Sequence, residues 1–307
     1  MAARDGIAGE VGIDVSEEEY IPASEGGRKG RGRSIGAILI DAGRLQAADA
    51  EQVLRLQREK GLPFGDAAVQ LGLITAEDIE FALARQFDYP YLRPGESAVS
   101  IEVAAAYRPF TPQVEALRAL RAQLMLRWFG GDQDHRLLAI VSGERGEGRS
   151  FIAANLAVVF SQLGTHTLLV DADMRRPSQH RLFGLENRAG LSAMLTARAG
   201  KETINRIPAL LDLSVLTAGA LPPNPSELLE RPQFARVLHE LAKEYEVILL
   251  DTPPAGESAD AQTVTVRAGA ALIVVRKNIS RQWQVRGIAD RAGQTNAAIV
   301  GTVLNDF

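Results

Sequence analysis

The sequence predicts an α/β protein: a mostly parallel sheet with flanking helices, preceded by a small all-α tandem-repeat domain. Three observations carry this reading. From Arg136 onward six apolar runs of strand length, LLAIV, TLLVD, LSVLTA, VILLD, AALIVV and AIVGTVLN, alternate with helical patterns near Ile152, Ser226, Phe234 and Trp283. That alternation specifies right-handed βα units and parallel pairing. A glycine-rich loop, Ser142 to Ser150, separates the first run from the helical segment FIAANLAVVFSQL. Finally, the segment starting at Ser34 recurs at an offset of 29 residues, Gly36 onto Gly65 and Gly43 onto Gly72, as expected of helical units that stack on their own copy.

Composition bounds the rest. A chain of 307 residues suggests about two domains, and its 46% hydrophobic residues suffice for a sizeable core. The 34 Lys and Arg against 38 Asp and Glu give a net charge of −4, so no global basicity points to nucleic acid. There is no cysteine, which excludes disulfides and thiolate metal sites. No run of about 18 apolar residues and no charged-then-apolar leader occur. The expectation is a soluble, cytoplasmic chain that a partner would recruit to the inner face of the membrane.

In order along the chain, residues 1–33 are Gly-rich and charged, with acidic Glu17 to Glu19 and basic Arg28, Lys29, Arg31 and Arg33. They read as a disordered, solvated tail. Residues 34–92 hold the repeat, in which Leu39 matches Ala68, Leu54 matches Leu83 and Gln57 matches Gln86. In each copy a short helix ends at a glycine cap, and a second helix starts near Ala47 or Thr75, the latter with Asp78 three places on as a variant capping box. Residues 93–112 contain prolines and small residues with weak periodicity and read as a linker. Residues 113–307 make the α/β domain. It opens on VEALRALRAQLMLRWF, with Leu117, Leu120 and Leu124 on one side and Glu115, Arg118 and Arg121 spaced to share a face.

The loop SGERGEGRS fits G-x-x-x-x-G-K-[ST] with Gly143, Gly148 and Ser150 in place and Arg149 where lysine is usual. Glycines let successive N–H groups curl inward and the following helix adds its positive end, so the pocket suits a polyphosphate. The domain is therefore P-loop NTPase-like, with Ser150 offering its hydroxyl to Mg²⁺. TLLVDAD ends a strand run in Asp171 and Asp173, and VILLD ends another in Asp251. Ligands of an open parallel sheet lie beyond the carboxyl ends of its strands, where all three carboxylates would meet the loop. Singly each is an ordinary aspartate of a βα turn; three beside a polyphosphate loop imply a metal ion.

Two family resemblances follow. Each repeat copy resembles the [R]LGxxLxxxGxxxxxxLxxxLxxQ motif of the N-terminal domain of type II secretion ATPases, called MshEN, which implies cyclic di-GMP binding. The arginine opening that motif is Ser34 in the first copy and Pro63 in the second, and Ala50 and Ala68 replace leucines. Neither serine nor proline offers a planar donor fork, so the alternative is a helical docking or spacer domain.

Over Glu115 to Phe307 the chain resembles the catalytic domain of bacterial tyrosine kinases that regulate exopolysaccharide chain length. The motifs are EALRALR, matching the family's E-x-x-R-x-x-R; the GEGRS loop; LLVDADMRRP; LPPNPSELL; VILLDTPP; and the closing GTVLN. The arrangement looks most like the stand-alone EpsG-type kinases. The resemblance implies phosphoryl transfer from MgATP to tyrosine, with Gly143, Gly146, Glu147, Gly148, Arg149 and Ser150 around the phosphates and Asn305 at the adenine. It assigns Arg149, Asp171, Asp173 and Asp251 to catalysis, and Ser150 with the three aspartates to the metal. It also implies a homo-oligomer through Glu115, Arg118 and Arg121, and a transmembrane polysaccharide chain-length determinant protein as partner. The family's usual terminal tyrosine cluster is not matched by Leu304-Asn305-Asp306-Phe307, and the five tyrosines are scattered.

Two rivals remain. A MinD/ParA-type ATPase would carry lysine near the start of the loop, where this chain has Glu144. An ATP-binding scaffold without turnover would accommodate Arg149 and the scattered tyrosines. A dinucleotide-binding dehydrogenase is disfavoured, because G-x-G-x-x-G is absent.

Overall fold

A computed structural model describes residues 33–86, 90–131, 135–208, 210 and 212–306. The tail expected over 1–33 lies outside the described residues except for Arg33, which pairs with Asp41 at 2.6 Å.

The repeat forms four helices, α1 (Ile35–Asp41), α2 (Ala47–Lys60), α3 (Phe64–Gln70) and α4 (Ala76–Gln86). The copies interlock, α1 packing on α4 and α2 on α3, around Leu39, Val53, Ala67, Ala68 and Phe81. Gly43 and Gly72, matched in the repeat, sit at φ of +68° and +70°, the left-handed turn that ends each first helix. Thr75 and Asp78 form the reciprocal cap of α4: the Thr75 N–H donates to Asp78 Oδ2 at 2.9 Å and the Asp78 N–H to Thr75 Oγ1 at 3.3 Å.

Residues 93–112, expected to be a linker, instead pack into the larger core. Val99 and the run Val103 to Tyr107, which includes α5 (Ala104–Tyr107), are buried there. The physical reason is the run of small residues, which lets the backbone approach closely enough for the Ala105 N–H to donate to Asn155 Oδ1 at 2.8 Å. Helix α6 (Pro112–Leu124) follows, burying Val114, Leu117 and Leu124, and continues into a π turn over Met125–Phe129.

The sheet has seven strands: β1 (Leu137–Val141), β2 (Thr167–Asp171), β3 (Asn205–Arg206), β4 (Leu213–Leu216), β5 (Val247–Asp251), β6 (Ala270–Arg276) and β7 (Ala298–Asn305), in the order β3-β4-β2-β5-β1-β6-β7. All six predicted runs are strands and pair in parallel; β3 adds an antiparallel edge. The remaining helices are α7 (Arg149–Ser161), α8 (Gln179–Leu182), α9 (Leu191–Leu195), α10 (Pro225–Glu230), α11 (Pro232–Leu241), α12 (Asp260–Ala268) and α13 (Gln282–Gln294). Strands buried on both faces read as continuous apolar runs, and β2 and β5 are buried at every position. Two cores result, one between the sheet and α5 to α7, the other beneath α9 to α13. Among the described residues no helix is long and apolar enough to cross a membrane.

Candidate active site

β1 lies inside the sheet, between β5 and β6. Its carboxyl end runs into the loop Ser142 to Gly148, whose Gly146 and Gly148 take φ of +78° and +92°, conformations that a side chain would strain. Those two turns aim the chain into α7, which starts at Arg149. Most of α7 is buried, so its N-terminus is fixed against the loop by packing rather than by a capping side chain.

The loop is braced from outside. Arg276 donates to Gly146 O at 3.0 Å and Asn305 Nδ2 to Glu147 O at 3.1 Å. Glu147, only 1% exposed, accepts the Glu144 N–H at 2.7 Å, and Ser280 donates to its other oxygen. Gln284 donates to the Glu144 carboxylate. Sequence reasoning missed Arg276, Ser280 and Gln284, which carry no local motif.

The parallel register sets Asp171 beside Asp251, and both are fully buried. Asp171 Oδ2 accepts the N–H groups of Ser178 and Gln179, each at 2.9 Å, and Oδ1 accepts that of Asp173 at 3.2 Å. Burial first, and then the Asp251 charge, push the Asp171 carboxyl well above the usual range in spite of those bonds. Asp173, just past the strand, accepts the N–H of Arg175 at 3.2 Å and of Arg176 at 2.9 Å. Asp251 Oδ2 accepts from Gln179 Nε2 at 2.7 Å. Burial raises Asp251, while Arg149, Gln179 and the Ser150 hydroxyl hold it down. Gln179 is a further residue that the sequence did not reveal: it is fully buried and also donates to Ser150 O at 3.1 Å.

Arg149 joins these parts. Its Nη1 donates to Ser142 Oγ at 2.8 Å, Nη2 lies 3.6 Å from Asp173 and Nε 3.4 Å from Asp251 Oδ1. The last contact is an ion pair without hydrogen-bond geometry, leaving Nε and Oδ1 buried with unmet bonding capacity. Thus the loop, Arg149, Ser150, Asp171, Asp173 and Asp251 converge at one end of the sheet. Among the described residues no three His, Asp or Glu side chains cage a cation by themselves.

The motif LLVDADMRRP meets LPPNPSELL here too. Arg175 Nε donates to Asp260 Oδ2 at 2.8 Å, Arg175 Nη2 to Ser226 Oγ at 2.9 Å, and the Ser226 hydroxyl to Asp260 Oδ1 at 2.6 Å. Away from the site, Glu115 and Arg118 pair on α6, and Arg121 donates to Val159 O of α7. Ser34 caps α1 by accepting the Ala37 N–H at 3.3 Å, and Pro63 precedes α3.

A glycine loop between an inner parallel strand and a buried helix, with strand-end aspartates on the adjacent β5 and on β2 beyond it, defines a P-loop nucleotide-binding domain. A family model described as the NUBPL iron-transfer P-loop NTPases (ParA) matches residues 134–306. The putative tyrosine-protein kinase CapB of Staphylococcus aureus is 33% identical over 201 residues, 64% of this chain and 86% of CapB. The tyrosine-protein kinase YwqD of Bacillus subtilis is 32% identical, over 68% of this chain and 87% of YwqD. The kinase domain of the Escherichia coli tyrosine kinase ETK superposes with a TM-score of 0.63 at 32% identity, over 66% of this chain and 79% of that one. Within the P-loop class, the chain belongs to the bacterial tyrosine kinase family.

Proposed function

We propose that the protein is a MgATP-dependent protein-tyrosine kinase that regulates exopolysaccharide chain length and export. The observation that carries this reading is the convergence of the glycine loop, Arg149 and Ser150 with Asp171, Asp173 and Asp251. The donor set fits Mg²⁺: oxygen ligands only, with one buried Asp251 oxygen lacking a hydrogen bond. Magnesium is usually held by one or two carboxylates together with substrate phosphates rather than by a protein cage, which agrees with three carboxylates that form no closed cluster. Ser150 and Asp251, with Asp171 and Asp173, would hold the ion, and its charge would offset that developing on the transferred phosphoryl group.

The other roles belong to the chain. Backbone N–H groups of Gly143 to Ser150 cradle the β- and γ-phosphates, with the N-terminus of α7 behind them. Arg149 contributes a planar cation in place of the usual point charge and orients the γ-phosphate. Transfer joins the tyrosine oxygen to the γ-phosphorus, breaks that atom's bond to the β,γ-bridging oxygen and releases ADP. Asp173 or Asp171 takes the phenolic proton. Such chemistry needs positioned charge rather than a covalent nucleophile. Asn305 Nδ2 is committed to Glu147 O, and its carbonyl oxygen accepts from the adenine amine.

The same reading assigns residues 113–307 to the kinase unit and 34–92 to the repeat domain. Glu115, Arg118 and Arg121 form the edge of a homo-oligomer, and a transmembrane chain-length determinant protein recruits the chain to the inner face of the membrane. The repeat domain docks rather than binding cyclic di-GMP, because the places of the motif's arginines hold Ser34, which caps α1, and Pro63, which precedes α3, and neither offers a guanidinium fork. The scaffold alternative draws on Arg149 being engaged by Asp173 and Asp251. Equilibrium binding of MgATP alongside a transfer assay separates the two: a kinase binds and transfers, whereas a scaffold binds without transfer.

A further inference from the structure

Three arginines surround one aromatic ring where the repeat domain meets the α/β unit. The guanidinium carbons of Arg44, Arg85 and Arg93 lie 4.2, 5.0 and 4.5 Å from the centroid of Phe81. Arg44 comes from the turn after α1, Arg85 from α4 and Arg93 from the segment beyond it. Two of them also face carboxylates: Arg44 pairs with Asp78, and Arg93 lies 3.4 Å from Glu96. Arg85 and Arg93, together with Tyr91, border an open groove of about 530 Å³.

Tyr91 joins two bodies. Its neighbours are pinned to the α/β unit, Pro90 O accepting from Gln162 Nε2 at 3.0 Å and the Leu92 N–H donating to Ala106 O at 2.6 Å. Its own ring packs on the core of the repeat domain. The phenol is half-buried and shares its groove with Arg85 and Arg93. The other described tyrosines differ. The Tyr107 hydroxyl is buried and donates to Val99 O, and Tyr245 packs against the second core.

We infer that Tyr91 is a phosphorylation site, and that Arg44, Arg85 and Arg93 form the cradle that receives its phosphate and fastens the repeat domain to the kinase unit. The inference rests on the kinase reading above for its phosphoryl donor. The Tyr91 oxygen bonds to the γ-phosphorus of ATP, the bond to the β,γ-bridging oxygen breaks, ADP leaves, and the phenolic proton passes to a site carboxylate. A phosphotyrosine carries close to two negative charges and three acceptor oxygens, suited to guanidinium forks. It would displace Glu96 from Arg93 and draw guanidiniums of both bodies onto one group. Unmodified, Arg44 and Arg93 each face a separate carboxylate; modified, one phosphate would serve guanidiniums of both bodies and bridge the joint.

The test starts with the full chain in MgATP, its phosphotyrosines mapped by mass spectrometry beside Tyr91→Phe, which keeps the ring. Phosphate on Tyr91, absent from the variant while transfer to a tyrosine peptide is unchanged, is the expected result. Phosphate on other tyrosines but not on Tyr91 overturns the inference and leaves the kinase reading standing. No phosphotyrosine on chain or peptide overturns the kinase reading and, with it, self-modification. The cradle is judged separately, on protein carrying phosphotyrosine installed at position 91 during synthesis. Limited proteolysis between the two bodies should slow about tenfold, and Arg85→Gln with Arg93→Gln should restore the original rate. An unchanged rate on phosphorylation overturns the cradle.

Discussion

At Arg149 a guanidinium that is 8% exposed faces Asp173 and Asp251, with Ser142 as its hydrogen-bond acceptor. Removing one partner from a buried charge group leaves the others uncompensated. Replacement by methionine, similar in reach but uncharged, should therefore lower the unfolding free energy by about 3 kcal/mol in urea titrations, and abolish detectable transfer from labelled ATP. Arg149→Lys keeps the charge but loses the fork, so it should retain transfer at reduced rate with a smaller loss of stability. Much of this site was legible in the sequence, because its parts are local: a glycine spacing, a serine, and aspartates that end apolar runs. What was not legible is long-range. Gln179 reaches Asp251 from 72 positions earlier in the chain, and Asp260 receives Arg175 from 85 positions later. No short pattern announces either partner.

Among elements, the six apolar runs became the parallel strands because burial on both faces requires continuous hydrophobicity. Strand β3 escaped notice: it is two residues long, Asn205 and Arg206, and one polar edge pair has no period. Helix α12, DAQTVTVRA, was also missed, since its β-branched and polar residues obscure an apolar stripe. Residues 93–112 misled for the opposite reason, prolines and alanines suggesting a connection where small side chains permit close packing on α7. The Thr75 and Asp78 cap of α4 was readable, and it can be measured. Burial alone would raise the Asp78 carboxyl, but bonds from Thr75 and Arg44 outweigh it and hold the carboxyl below its usual value. A depressed carboxylate contributes stability that is present above its unfolded pKa and lost as pH falls through the folded one. Asp78→Ala should cost about 1 kcal/mol at neutral pH, and the difference from the parent should vanish on acidification in paired thermal melts. A gap that persists undiminished in acid would contradict the cap.

For the whole molecule, nucleotide binding is coupled to folding. A ligand at about 100 times its Kd adds about 2.7 kcal/mol to the folded state, worth several degrees in a domain of this size. MgATP should accordingly raise the melting temperature by about 5 °C, EDTA should remove much of that gain, and Asp173→Asn should respond less to magnesium. A shift indifferent to EDTA would separate nucleotide binding from the metal. The central claim, that this P-loop unit moves the γ-phosphoryl of ATP to tyrosine, is tested most directly by phosphotransfer itself. The full chain is incubated with labelled MgATP, with and without the cytoplasmic segments of the proposed chain-length partner, beside an Asp171→Asn/Asp173→Asn double variant, and phosphotyrosine is mapped by mass spectrometry. The account predicts labelled tyrosine in the parent, more of it with the partner segments, and none in the double variant. Nucleotide binding without transfer under either condition, or label that persists in the double variant, would contradict it.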